Sequence, residues 1–184
     1  MARTFLTADH HIGHAGVLSD RMDAPRPFAT IAEHDETLVA CWNAVVRPND
    51  TVWHLGDFAY KCKPDHALRI FRRLNGRKFL VRGNHDELAE SLPWDGPVRD
   101  VARIHVQDPG MRASVGLWLS HYAHRTWPHR HRGDLHLYGH SHGSLPAIPA
   151  SLDVGVDCWG WTPVTVPQVQ ARLAELFPDA EGNP

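Results

Sequence analysis

The chain has 184 residues, 42% of them hydrophobic and 22% charged, with a net charge of −2 and an isoelectric point near 6.7. That suits one domain, expected over 1–177 with a frayed tail at 178–184, and it excludes a protein that grips nucleic acid with its whole surface, though not a local basic groove. No stretch approaches the roughly 18 apolar residues of a membrane span, and Met1-Ala2-Arg3 runs straight into a strand pattern, so the expectation is a cytoplasmic protein with no membrane partner and no obligate protein partner.

Cys41, Cys62 and Cys158 are odd in number and lack CxxC spacing, which favours reduced structural thiols over disulfides or a zinc ribbon. Histidine is the unusual residue, with 15 copies. They are scattered among apolar strands rather than run together, as ligands of a site assembled by folding would be.

In chain order, Thr4 to Ala8 reads as a strand ending in Asp9-His10-His11-Ile12-Gly13-His14. A loop with Gly16, Pro25 and Pro27 follows. Thr30-Ile31-Ala32-Glu33 then has capping-box spacing, and Ile31, Leu38, Trp42 and Val45 form the apolar stripe of the helix it starts. Thr51 to Leu55 is the next strand, leading into Gly56-Asp57. A second helix carries Ala67, Ile70, Phe71 and Leu74 and stops at Asn75-Gly76. Lys78 to Arg82 is a buried strand that delivers Gly83-Asn84-His85-Asp86. This βαβαβ alternation implies a parallel sheet.

Beyond Leu92-Pro93 the strands shorten and turn signals multiply, which reads as antiparallel. Val101 to Val106, Val115 to Ser120, Leu135 to Tyr138 and Leu152 to Val156 are the expected strands. Val169, Leu173 and Leu176 mark a last helix with Pro167 in its first turn.

Five strands thus end in candidate ligands: Asp9 and His11, Asp57, Asn84 with His85, His121, then His140 and His142. In open α/β sheets the carboxyl ends of strands border the binding crevice, so these groups can converge. Singly each is weak; Asp-x-His, Gly-Asp, Gly-Asn-His-Asp, a strand-terminal His and Gly-His-Ser-His in this order form a pattern. The chain resembles the calcineurin-like metallophosphoesterases along nearly its whole length, and among them the small, cap-less bacterial members.

The resemblance implies a four-layer αββα sandwich with two mixed β-sheets, the parallel half first and the antiparallel half second. It implies that Asp9, His11, Asp57 and His142 hold one metal and that Asp57, Asn84, His121 and His140 hold the other. Imidazole, carboxylate and amide ligands without thiolate suit manganese first, with iron or zinc as alternatives. The implied chemistry is in-line attack of a metal-bridging hydroxide on phosphorus, with His85 as general acid and Asp86 orienting it. His10, where relatives often carry a small hydroxyl residue, makes the choice of His11 over His10 a point to check.

His14, Arg82, His124 and Arg125 lie within four residues of a ligand and are candidate substrate contacts, against the plainer readings of ion pairing or exposed loop. The segment Arg125 to Arg132 either tracks a nucleic-acid backbone with Trp127 stacked on a base, or is a solvated arginine-rich loop, since 16 of the 19 basic residues are Arg. Trp159 and Trp161 either line the crevice or close the core. Glu87 to Ser120 is only 34 residues and is used by strands, leaving no cap domain. The partner is therefore a phosphoester, with diesters such as a nucleotide or single-stranded nucleic acid favoured over monoesters. A non-catalytic scaffold and a histidine-rich metal buffer are the rivals.

Overall fold

The computed structural model describes residues 2–180. Its first sheet contains β1 (Thr4–Thr7), β2 (Thr51–His54) and β3 (Arg77–Leu80), joined by α1 (Ile31–Val45) and α2 (Pro64–Arg73). These three strands are parallel, in the order β3-β2-β1, and a two-residue strand near the end of the chain, Val164–Thr165, adds antiparallel to the free edge of β1. The second sheet contains β4 (Val101–Val106), β5 (Val115–Ser120), β6 (Leu135–Tyr138) and β7 (Ser151–Asp153), in that spatial order. Val164–Thr165 is then β8, and α3 (Val166–Leu176) follows it directly.

Both sheets are mixed, so the expected antiparallel second half is corrected. Only β4 and β5 run antiparallel; β5 with β6 and β6 with β7 are parallel. The 14-residue segment between β5 and β6 makes the return that a crossover helix usually makes, without any helical periodicity to announce it.

Side-chain alternation along the strands builds two cores. Phe5 of β1 packs with Leu38 and Trp42 of α1 and with Ile70 and Phe71 of α2, whereas Leu6 faces the other way, to Leu117, Leu119 and Leu137 between the sheets. Each large apolar side chain fully buried this way contributes about 1.5–3 kcal/mol. Helix α3 sends Val166, Val169 and Leu173 into the inter-sheet core and touches β1, β7 and β8. The α/β sandwich of two mixed sheets is thus the one expected.

The helix signals hold with two adjustments. Thr30 caps α1, its hydroxyl accepting from the Glu33 amide at 3.1 Å, while the Glu33 carboxylate accepts from the amide of Ala29. The buried face of α1 is His34, Asp35, Leu38, Val39 and Trp42; Ile31 is partly open and Val45 is exposed, as is Leu176 at the end of α3. Leu74 lies just past α2 but is buried as expected, and Gly76 turns the chain with φ 88°. Pro178–Ala180 is a short 3-10 turn; the rest of the expected tail, 181–184, lies outside the described residues. Among the described residues no helix is long and apolar enough to cross a membrane.

Candidate metal centre

The parallel ladder between β1 and β2 continues past both strands and holds the site. The amides of Asp9, His11 and Ile12 donate to the carbonyls of Gly56, Asp57 and Phe58, each at 2.9 Å. The chains approach so closely that side chains cannot be tolerated at two turns. A Cβ on Gly56, which has φ 98°, would lie 2.5 Å from His121 Nδ1, and one on Gly83 would lie 2.3 Å from Asp57 Oδ1. Asp9, His11, Asp57, His140 and His142 all have φ between 48° and 66°. Left-handed backbone at a non-glycine residue costs of order 1–3 kcal/mol, and its recurrence at five candidate ligands is strain concentrated where side chains are aimed.

Two clusters result. In Asp9, His11 and His142, and again in Asp57, His121 and His140, one ligand atom per residue lies within 4.8 Å of the others. Asp57 stands between them, with Oδ2 3.5 Å from His11 Nε2 and Oδ1 3.6 Å from His121 Nε2. Asn84 Oδ1 is 3.0 Å from His121 Nε2. All seven residues expected as ligands therefore meet, at the strand ends of both sheets.

The hydrogen bonds around the imidazoles fix which nitrogen faces inward. His121 Nδ1 donates to the Leu55 carbonyl at 2.8 Å, and His142 Nδ1 donates to Asp157 Oδ2 at 2.7 Å. A neutral His121 therefore turns a bare Nε2 toward the oxygens of Asn84 and Asp57, lone pairs facing lone pairs. His11 is buried with neither ring nitrogen in a hydrogen bond. Burial, then the charges of Asp153, Asp57 and Asp157, push the Asp9 carboxyl well above the usual carboxylate range. Converging acceptors without protons and crowded buried carboxylates are what a divalent cation satisfies, so the residues fit the implied metals.

Sequence reasoning missed the support beneath this site. Arg26, itself buried, donates to both oxygens of Asp157 at 2.9 and 2.7 Å, to the carbonyl of Asp9 at 2.6 Å and to that of His10 at 3.0 Å. Burial opposes the charge on Asp157, yet the bonds from His142 and Arg26 hold its carboxyl down to about 2. Arg26 lies in a loop and Asp157 in a three-residue 3-10 turn, neither within a motif, so nothing in the pattern singled them out.

His10 turns into the core, with its Nδ1 2.9 Å from His54 Nε2 and its ring edge-on to Trp42, so it is His11 that reaches the cluster. Asp86 needs correction. Its carboxylate accepts from the amides of Gly83, Asp57 and Phe58 at 2.7–2.8 Å, clamping two strand ends together rather than touching His85. His85 instead lies over Tyr60, ring centroids 3.9 Å apart, and its amide donates to Asp57 Oδ1. Among the described residues its ring makes no hydrogen bond.

The outer candidates divide. His14 sits beside His11, 5.5 Å between rings, with Nδ1 buried and unpartnered. His124 lines a cleft of about 310 Å³ together with Asn84 and His121. Arg82 lines it too, but its guanidinium is taken up by Glu90 and Asp100, so the plainer ion-pair reading of that residue describes it. Arg125 is exposed. Trp127 is corrected as a base-stacking residue: it is buried, donating Nε1 to the Asp134 carbonyl at 2.7 Å under the Arg130 guanidinium. Trp159 bonds to the carbonyl of Asp153, and Trp161 packs on Phe28 and Arg26, so both close the core.

Two adjoining clusters of imidazole and carboxylate at the strand ends of an α/β sandwich are the donor sets of a metal-binding protein. Residues 2–144 match the model of the calcineurin-like phosphoesterases, and the chain belongs to that family of metal-dependent phosphoesterases. It is 32% identical to the gene 66 protein of Mycobacterium phage L5, over 87% of this chain and 89% of that one. It is 30% identical to an uncharacterized protein of Methanocaldococcus jannaschii, over 84% of each. A solved structure of a protein of unknown function from Aquifex aeolicus superposes with TM-score 0.66 at 22% identity, covering 94% of this chain and all of that one, which shows the shared fold.

Proposed function

We propose that the protein hydrolyses phosphodiesters of the nucleotide or nucleic-acid type, with the seven-residue centre as the reaction site. The observation that supports the diester preference is that two separate clefts, with no lining residue in common, border the centre. One, of about 250 Å³, runs from His140 and His142 past Met22, Asp23 and Ala24; the other, of about 310 Å³, runs from Asn84 and His121 past Tyr122 and His124. A diester has two organic arms to house and a monoester one.

Asp9, His11 and His142 would hold one divalent cation, and Asn84, His121 and His140 the other, with Asp57 shared. Two such ions, manganese by preference and iron or zinc as alternatives, supply Lewis acidity for water and for the phosphoryl oxygens. His85, left free above Tyr60, holds the proton that goes to the leaving oxygen as the ester P–O bond breaks and water adds to phosphorus. The test compares bis-para-nitrophenyl phosphate with para-nitrophenyl phosphate in manganese. The diester should show the higher kcat/KM; a tenfold advantage for the monoester would overturn the preference. His85→Ala should lower kcat at least a hundredfold on an ester with a poor leaving group, while metal content stays at two per chain.

A further inference from the structure

The cleft beside Asn84 and His121 has a lining that the phosphoester chemistry does not use. Tyr122, the residue after a candidate ligand, leaves half of its surface exposed. Its ring is set edge-wise against His121 and His140, with centroids 5.1 and 4.6 Å away. The phenol donates to Asn84 Oδ1 at 3.3 Å, which holds the ring beside the metal centre.

Next to it, His124 has a fixed tautomer. The indole of Trp118 can only donate, and it donates to His124 Nδ1 at 3.0 Å. Neutral His124 therefore carries its proton on Nε2, and the ring is braced by stacking on His136 at 5.2 Å. Asp100 adds an acceptor to the same cleft, its side chain exposed and paired with Arg82, which Glu90 shares.

We infer that this cleft is a nucleobase subsite, in which Tyr122 stacks on the base of a nucleoside phosphate ester while His124 and Asp100 meet its edge. The case is one of matching chemistry. An aromatic side chain open to solvent offers a stacking surface to any base, and a donor beside an acceptor suits a planar ring whose edge carries both kinds of group. A volume of about 310 Å³ lies at the lower end of the range for small-molecule sites, about 300–1,000 Å³, which is room for a single base rather than a long strand. This subsite rests on the phosphoester reading, since it places the base beside the phosphate position.

Binding tests it independently of turnover. In a His85→Ala background loaded with manganese, calorimetry would compare methyl phosphate with adenosine 5′- and 3′-monophosphates. At least one nucleotide should bind about tenfold more tightly than methyl phosphate. Tyr122→Leu should remove that advantage and leave methyl phosphate within about twofold, Tyr122→Phe should retain it, and His124→Leu should reduce it. Equal affinity for methyl phosphate and both nucleotides would overturn the subsite. So would a Tyr122→Leu variant, with both metals confirmed, that weakens all ligands by one factor. Failure of the diester preference shows elsewhere, in the chromogenic comparison, and leaves these affinities unaffected.

Discussion

Neighbouring residues do opposite jobs here, and substitutions should separate them. His10 and His11 adjoin in sequence, but one is locked against His54 in the core and the other opens on the ligand cluster. His11→Ala should lower bound manganese from two toward one per chain, measured by elemental analysis after gel filtration, whereas His10→Leu should keep both. Asp86 likewise differs from His85 beside it. Removing its carboxylate strands three backbone N–H groups, each worth about 1–3 kcal/mol when buried unpaired, so Asp86→Ala should cost at least about 3 kcal/mol in urea unfolding. A variant of unchanged stability with only kcat reduced would instead restore the orienting role. Adjacency in sequence says which loop a side chain occupies but not which way it points, which is why the ligands were readable and the roles of Asp86, Tyr60 and Tyr122 were not.

Among elements, legibility followed periodicity. The βαβαβ half was readable because α1 and α2 have capping signals and apolar faces, and a crossover helix obliges its two strands to be parallel. The β5–β6 return holds no α-helix, only a three-residue 3-10 turn, so its direction left no trace, and β8, two residues long, is too short to alternate. The ligand turns were legible for a different reason: polar side chains at the end of a buried strand are costly there unless they meet a partner or a ligand. Those turns tolerate little. Gly56→Ala drives a methyl to within 2.5 Å of the imidazole of His121, at a backbone φ of 98° that alanine disfavours. The expected result is a fall of several degrees in Tm together with loss of manganese affinity; a change in Tm alone would mean that the loop relaxes away from His121.

Over the whole molecule, acid should be the weak direction. Burial first, with the neighbouring His124 second, holds His136 down to about 3, and burial likewise holds His54 down to about 3. Both stay neutral in the fold, while the unfolded chain protonates them near pH 6.5. The unfolded state thus binds more protons between about pH 6.5 and 3, and stability falls as pH is lowered through that window. The urea midpoint should therefore drop between pH 7 and pH 5, and drop less in His136→Gln; parallel pH profiles would refute the assignment. The spread of the candidate ligands along the chain has a consequence in time. Asp9 is made 133 residues before its partner His142, and all but two of the strands of both sheets come before His142. Neither cluster can close on a nascent chain that stops before Gly139, so metal capture must wait until β6 has been made. Any assay of metal uptake during translation is then an assay of when the two sheets dock.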